Sequence, residues 1–316
     1  MPVTSSILRP DLGALAYEYS ANAARNGFIG QRVLPAFHTP LKSAQYPVIP
    51  TEALLSLEET ARAPRSAYAR DDWAFDTKTY ACQEYGFEAP LDDSEAALYG
   101  RYFDAEAITA ERAAGKLLRA QEKRIADKVM DTSTFAYGAA SAKWSVYATA
   151  DPLKDVETAR KNIIDATGLR PNVLIMDREI LRHVSLCDAV IDRIKYTSPA
   201  VQRGQLGEDL LAAYFGVDAV LVAGGVYNTA AAGLTPSVSA IWSRTKVMLA
   251  RVSTGGSDLR EPSIGRTFVW DEDGADILVT EQYREEQTRS NVYRVRQCTD
   301  ECIQFTGAGY IITTVL

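Results

Sequence analysis

Imidazole and thiol chemistry have little material here: the histidines are His38 and His183, and the cysteines are Cys82, Cys187, Cys298 and Cys302. Cys298 and Cys302 are separated by three residues, which is not the Cys-x-x-Cys of a redox or zinc site. They would share a face only in a helix, and their surroundings read as extended. His183 falls on a helical stretch, but no serine or cysteine motif of a triad accompanies it. Val222-Ala223-Gly224-Gly225-Val226 follows a short apolar run, as a phosphate loop would. It lacks the G-x-G-x-x-G spacing, however, and no helix opens at its last glycine, so an ordinary turn is expected. Asp271-Glu272-Asp273-Gly274-Ala275-Asp276 has its glycine at position four, where a calcium loop needs it at six. The remaining carboxylates form no pair that can be placed as acid and base. No catalytic, cofactor-binding or metal-ligating residue is assigned, and no enzymatic activity is expected.

Composition narrows the classes further. Hydrophobic residues make up 47% and charged residues 24% of the 316, the balance of a soluble protein able to bury a core. No apolar run is long enough to span a membrane, and the first ten residues lack the hydrophobic stretch of a signal peptide. A net charge of -7 argues against a protein whose main task is gripping phosphate backbones. The scattered cysteines fit free thiols in a reducing compartment.

The elements that would position any site are organised around residues 92–131. Phe103, Ala107, Ala110, Ala114, Leu117, Leu118, Gln121, Ile125 and Val129 recur in steps of mostly three and four, the spacing of one helical face. Arg101, Arg112, Lys116, Arg119, Lys123 and Asp127 fall opposite. Asp92 with Glu95 three residues on gives a capping-box start. The pattern predicts a single helix of roughly 55 Å, a spine whose alanine-rich stripe must be covered.

Before the spine come two segments that do not read as a compact domain. Residues 12–26 suit a short helix with Gly27 just past its end. The stretch after it is apolar at Val33, Leu34 and Phe37, but Pro35 and Pro40 argue against regular strand pairing. Such an arm is expected to lie across a neighbouring surface, of this subunit or of another. Residues 46–89 read as a long β-hairpin, with a period of two from Phe75 to Phe87. Its middle carries Arg62, Arg65, Arg70, Asp71 and Asp72 and almost nothing for a core, as in a contact loop or a solvated tip.

After the spine, residues 132–150 form a small, polar crossing anchored by Trp144. An α/β module follows. Asp151-Pro152 opens a helix ending at Gly168, and residues 172–176 make a short buried strand. Asp177 caps a further helix, residues 189–195 continue as another, and residues 208–215 form a helix ending at Gly216 that feeds a strand over 219–222. Residues 240–252 read as one strand, and 277–284 and 290–298 as a pair joined by a charged bend. The final stretch, 309–316, is apolar enough to require docking in a sheet.

Several stretches, in this order, carry a resemblance: Phe28-Ile29 with Val33-Leu34-Pro35; 79–91; 151–156; 167–176, the run Thr-Gly-Leu-Arg-Pro-Asn-Val-Leu-Ile-Met; 191–197; and 214–218. Together they resemble the major capsid proteins of tailed bacteriophages, and among them the lambda-like group. The resemblance implies an α+β fold with an N-terminal arm (1–45) and an extended loop (46–90). A peripheral domain with the spine helix (91–150) and an α/β axial domain (151–270) would follow, and 271–316 would return peripheral strands and a C-terminal strand. It implies a shell subunit that assembles into pentamers and hexamers of an icosahedral head enclosing double-stranded DNA without binding it tightly. Assembly would take place in the bacterial host cytoplasm, with the virion capsid as destination. Scaffolding protein, portal and a decoration protein would be its partners; no membrane and no cofactor are implied. Subunit contacts would fall on Phe28, Leu34, Phe37, Arg62, Arg65, Arg70, Asp71 and Asp72. Chemical crosslinking is not carried over, because nothing brings Lys42, Lys78 and Asn291 together with an acid. The alternatives are an encapsulin-like compartment and a cytoplasmic α/β enzyme built on residues 151–225.

Overall fold

The computed structural model describes residues 27–48, 76–197, 206–231, 233–255, 261–271 and 278–316, together with 7–8, 12, 55, 57, 60–62, 64–65, 67–68 and 259. The strands are β1 (Ile7–Leu8), β2 (Ala36–Thr39), β3 (Ser43–Val48), β4 (Asp76–Ala81), β5 (Gln83–Asp92), β6 (Ala136–Ala139), β7 (Val173–Asp177), β8 (Ala219–Ala223), β9 (Val226–Asn228), β10 (Val238–Ala240), β11 (Val247–Ala250), β12 (Gly265–Trp270), β13 (Val279–Glu285), β14 (Ser290–Ile303) and β15 (Gly309–Thr313). The helices are α1 (Gly30–Val33), α2 (Asp93–Tyr99), α3 (Ala105–Val129), α4 (Pro152–Thr167), α5 (Arg178–Val184), α6 (Asp188–Thr197) and α7 (Glu208–Phe215).

The first large sheet is built on β14. From Ser290 to Thr299 this strand pairs antiparallel with β5, from Ser290 to Arg296 with β13, and from Thr299 to Ile303 with β12. Tyr293 and Val295 alternate onto one face of β14, the period-two consequence of the pleat. There they meet Ala110, Ala113, Ala114 and Leu117 of α3. Alanines on the helix let its axis lie close to the strands.

The second sheet runs in the order β6-β15-β11-β7-β8, with β7 and β8 parallel. Every residue of β7 is buried, as expected of a strand covered on both sides. Helices α4 to α7 cover one face, and Ile163, Ile180, Leu211 and Phe215 pack on Leu174, Met176 and Val220. The other face is covered by Ile125, Ala126 and Val129 of α3, by Trp242, and by Ile29, Val33 and Leu34. One half of α3 therefore roofs the long-strand sheet while the other closes the α/β sheet. At 25 residues it spans about 38 Å.

Local rules explain the boundaries. Asp151 caps α4 through the Lys154 N–H, and Gly168 ends the helix at φ 67°. Gly216 ends α7 at φ 64°, the left-handed backbone that glycine tolerates best. Asp177 accepts from Glu179 N–H to start α5. Trp144 is fully buried and donates to Asp155 Oδ2 at 2.9 Å.

Five expectations change. The spine is two helices, because the chain turns at residues 100–104 and Asp104 restarts it by accepting from Glu106 and Ala107 N–H. Phe103, expected on the buried stripe, sits in that turn and is 45% exposed. The prolines of the arm do not prevent pairing: β2 lies between Pro35 and Pro40 and pairs parallel with β12, and Pro35 C=O accepts from Thr267 N–H. Residues 240–252 form two strands separated by a bend around Trp242. The strand run 75–87 breaks at Cys82, where the chain changes partner from β3 to β14.

The two sheets also divide the chain differently from the linear ranges expected. β12 lies in the long-strand sheet, and β6 and β15 lie in the α/β sheet. Ile311 and Ile312 of β15 enter opposite apolar clusters. A strand that is apolar on both sides needs cover on both sides, and the α/β sheet supplies it. The helix expected over 12–26 lies outside the described residues except for Leu12, which is buried against Leu91, Ala110 and Tyr293.

Candidate assembly surfaces

The arm is held by a buried carboxylate. Glu122 lies on the inner side of α3, four residues after Leu118, and is 4% exposed. Its Oε1 accepts from Ile29 N–H at 2.8 Å and from Trp242 Nε1–H at 2.6 Å, and its Oε2 accepts from Gly30 N–H at 2.8 Å. Burial pushes this carboxyl above its ordinary range, against the pull of the three donors. One side chain thus ties the arm and the bend before β11 to the spine. Beside it, Gly224 N–H donates to Gly27 C=O at 3.0 Å. A Cβ on Gly27 would stand 2.5 Å from the Gly224 nitrogen, so the two chains approach more closely than a side chain permits. The glycine pair after β8 is packing material for the arm, a role that reading it as an ordinary turn did not include.

The residues anticipated as subunit contacts separate into three groups. Leu34 is 0% exposed in its own subunit and has no surface to offer another, which corrects that expectation. The arm's apolar residues find their cover in α3 and the α/β sheet. Phe28 is half-buried, with its ring where a Cβ of Gly225 would fall and Arg119 at 5.9 Å from its centroid. Phe37 is half-buried edge-on to Phe268 at 5.4 Å. Arg62 and Arg65 are exposed in the loop between β3 and β4; Arg62 sits 4.6 Å over Tyr68, and Arg65 adopts φ 70°. Arg70, Asp71 and Asp72 lie outside the described residues.

At the base of the loop, β3 and β4 pair from Ser43–Ala81 to Val48–Asp76. Tyr80 stacks on Phe268 at 4.3 Å, and Tyr46 and Cys82 fill the same cluster. Burial pushes the Cys82 thiol up to about 12, leaving it protonated and poorly nucleophilic. Beyond that base Leu57 is 100% exposed and Tyr68 70%, while Leu55 Cδ2 lies 3.1 Å from where a Cβ on Gly168 would stand.

Sequence reasoning missed two features. Glu122 carried a signal, an acid at stripe spacing between Leu118 and Ile125. The second is the corner between α2 and α3, where Leu98, Tyr99, Tyr102, Phe103 and Ile108 are exposed beside a hollow of about 480 Å³ between α3 and β5. The turn that creates it was hidden by the assumption of one helix. The basic flank of α3 is not merely solvated either, since Lys116 lies 4.2 Å from the Phe87 ring centroid and Lys123 5.8 Å from that of Tyr227. His183 Nδ1 shares a hydrogen bond with Tyr147 Oη at 3.0 Å. No helix among the described residues is long and apolar enough to cross a membrane.

No protein-family model and no curated protein matches the sequence. Solved structures do match the fold. A phage-related protein from Bordetella bronchiseptica superposes with a TM-score of 0.71 at 21% identity, over 98% of this chain and 98% of that one. The putative capsid protein of a prophage of Escherichia coli CFT073 superposes with a TM-score of 0.58 at 13% identity, over 98% of this chain and 99% of its own. The chain has the fold of phage capsid proteins. A virus-like particle from Pyrococcus furiosus shares this capsid fold, with a TM-score of 0.57 at 12% identity over 96% of this chain and 98% of that one. Within this fold the arm-and-spine junction at Glu122 is buried, while Leu57 and Tyr68 of the loop between β3 and β4 and the α2–α3 corner are open apolar surface among the described residues.

Proposed function

We propose that this chain is the major capsid protein of a tailed bacteriophage, a structural subunit that self-assembles into pentamers and hexamers of an icosahedral head around double-stranded DNA. The observation that carries this reading is the superposition on phage proteins along nearly the whole chain. The open apolar surface supports it, since exposed groups such as Leu57, Tyr68, Tyr99 and Tyr102 mark interaction sites when they cluster. In this reading 46–90 is the extended loop, and Arg62 and Arg65 with 70–72 contact the neighbouring subunit. The α/β unit, the sheet β6-β15-β11-β7-β8 with helices α4 to α7, faces the capsomer axis. Repeated heterologous contacts close into rings and then a shell, so each contact can be modest. Scaffolding protein, portal and decoration protein are the expected partners, and the host cytoplasm is the place of assembly.

Electron microscopy and sedimentation of the full chain, alone and with its scaffold, test the reading. Rings, tubes or shells are expected; a strictly monomeric chain under all conditions refutes it. An encapsulin-like compartment is the second reading, favoured by the superposition on the archaeal virus-like particle. Particles purified from the native host decide between them, packaged DNA supporting a head and an enclosed enzyme supporting a compartment.

A further inference from the structure

The carboxyl ends of β7 and β8 open into a groove of about 590 Å³. Crevices at this edge of parallel strands are where α/β sheets bind ligands. Three guanidiniums line it, those of Arg178, Arg182 and Arg244, with His183 and Tyr147 on one wall. Arg244 is already engaged, with Nε 3.1 Å from Glu179 Oε2 and 4.0 Å from Asp177 Oδ1. Arg178 and Arg182 are exposed, and among the described residues their guanidiniums make no hydrogen bond or ion pair.

Arg178 is nevertheless held in place. Its guanidinium rests against Gly224, where a Cβ would stand 2.7 Å from Nη2 and 2.9 Å from Cζ. Any residue but glycine would push it out. Arg178 and Arg182 are four residues apart on α5, so they share a helical face and repel each other. An anion between them would relieve that repulsion and take up bidentate donors.

From this geometry we infer that the groove is a socket for carboxylates of a second copy of this chain. The inference rests on the capsid reading and deepens it. Charge complementarity favours this occupant, because the chain carries 41 acidic against 34 basic residues. On the same α/β unit, Glu208, Asp209 and Asp218 are exposed and their carboxylates are unpaired among the described residues. A continuous phosphate backbone fits less well, since it would run against Asp177 and Glu179. A discrete carboxylate needs only the Arg178–Arg182 side. One unit thus carries both halves of a heterologous contact.

The test compares the full wild-type chain with Arg178→Glu/Arg182→Glu and Arg178→Lys/Arg182→Lys by sedimentation velocity, with thermal melting as a check of folding. It is run in about 0.1 M and about 1 M NaCl, where the screening length is about 10 Å and about 3 Å. The glutamate variant is expected to melt like wild type and to lose more than about tenfold of its assembled fraction at the lower salt, because like charges would then face each other. The lysine variant keeps assembly, and high salt weakens wild type towards the glutamate variant. If wild type assembles and the glutamate variant assembles equally at both salts, the socket is refuted and the capsid reading stands. If wild type never assembles, both fall. If assembly is unchanged but a double-stranded DNA fragment is released only by the glutamate variant, the groove is a nucleic-acid contact and the socket is likewise refuted.

Discussion

Replacing Glu122 by leucine leaves Ile29 N–H, Gly30 N–H and Trp242 Nε1–H without the acceptor that now serves all three. An unsatisfied buried donor costs about 1–3 kcal/mol, so the gross loss is roughly 3–9 kcal/mol. Against it stands the recovered cost of burying a carboxylate, several kcal/mol. The net expectation is a destabilisation of about 2–4 kcal/mol. At roughly 2.1 cal/mol/K of unfolding entropy per residue, 316 residues give about 0.66 kcal/mol/K, and Tm falls by roughly 3–6 °C. The assay is calorimetry on the unassembled subunit, since lattice contacts would add stability by mass action. Hydrogen exchange should report faster opening at residues 27–34 than in β7. Glu122→Gln keeps one oxygen for two of the three donors and should fall between. The pH dependence sharpens the test. Burial raises the folded-state pKa above the ordinary 4.5, so the folded chain holds this proton more tightly than the unfolded one. Wild-type stability from this group is full below 4.5 and is lost as pH rises through the raised value. The leucine variant lacks that slope, so the gap between the two should be wider near pH 5 than near pH 8. A leucine variant as stable as wild type, with unchanged exchange in the arm, would refute the anchoring role.

Gly30→Ala places a Cβ 2.5 Å from Glu122 Oε2 and 2.9 Å from Ile125 Cδ1; it should cost about 1–3 kcal/mol, and a double-mutant cycle with Glu122→Leu should show less than additive loss. Asp104→Ala removes the acceptor for Glu106 and Ala107 N–H and should cost about 1 kcal/mol in thermal unfolding. Leu117→Asp sets an unpaired charge against Val295 under α3 and should abolish soluble expression; a soluble, assembled variant would show that this face is assigned wrongly.

The parts of the fold legible from sequence were those decided by neighbours along the chain. Helix α7 was delimited at its end by Gly216, which closes it at φ 64°, and α4 by Asp151 at its start and Gly168 at its end. What escaped depends on distant partners. Pro35 and Pro40 read as breakers because nothing local shows that β12 stops within their span. Phe103 kept helical spacing with Ala107 and Ala110, and only Asp104's capping bonds reveal that the helix restarts after it. The arm's self-burial was invisible for a similar reason: Leu34 is covered by residues some 90 positions away and more, in α3 and the α/β sheet. Of the surfaces, the exposed Arg62 and Arg65 were singled out by charge alone, while nothing in the sequence singled out Arg178 and Arg182, which line a groove that forms only when Gly224 is brought beside α5.

β15 is inserted between β6 and β11, although both are made before it. While the ribosome is still reading the preceding codons, β6 has no neighbour, one edge of β11 is open, and the clusters on the two faces of the sheet lack Ile312 and Ile311. Domains begin to form as they emerge from the ribosome, yet this one must wait for its keystone. A chain interrupted before residue 309 therefore leaves a gap between β6 and β11, and the α/β sheet closes only when translation has reached its last strand.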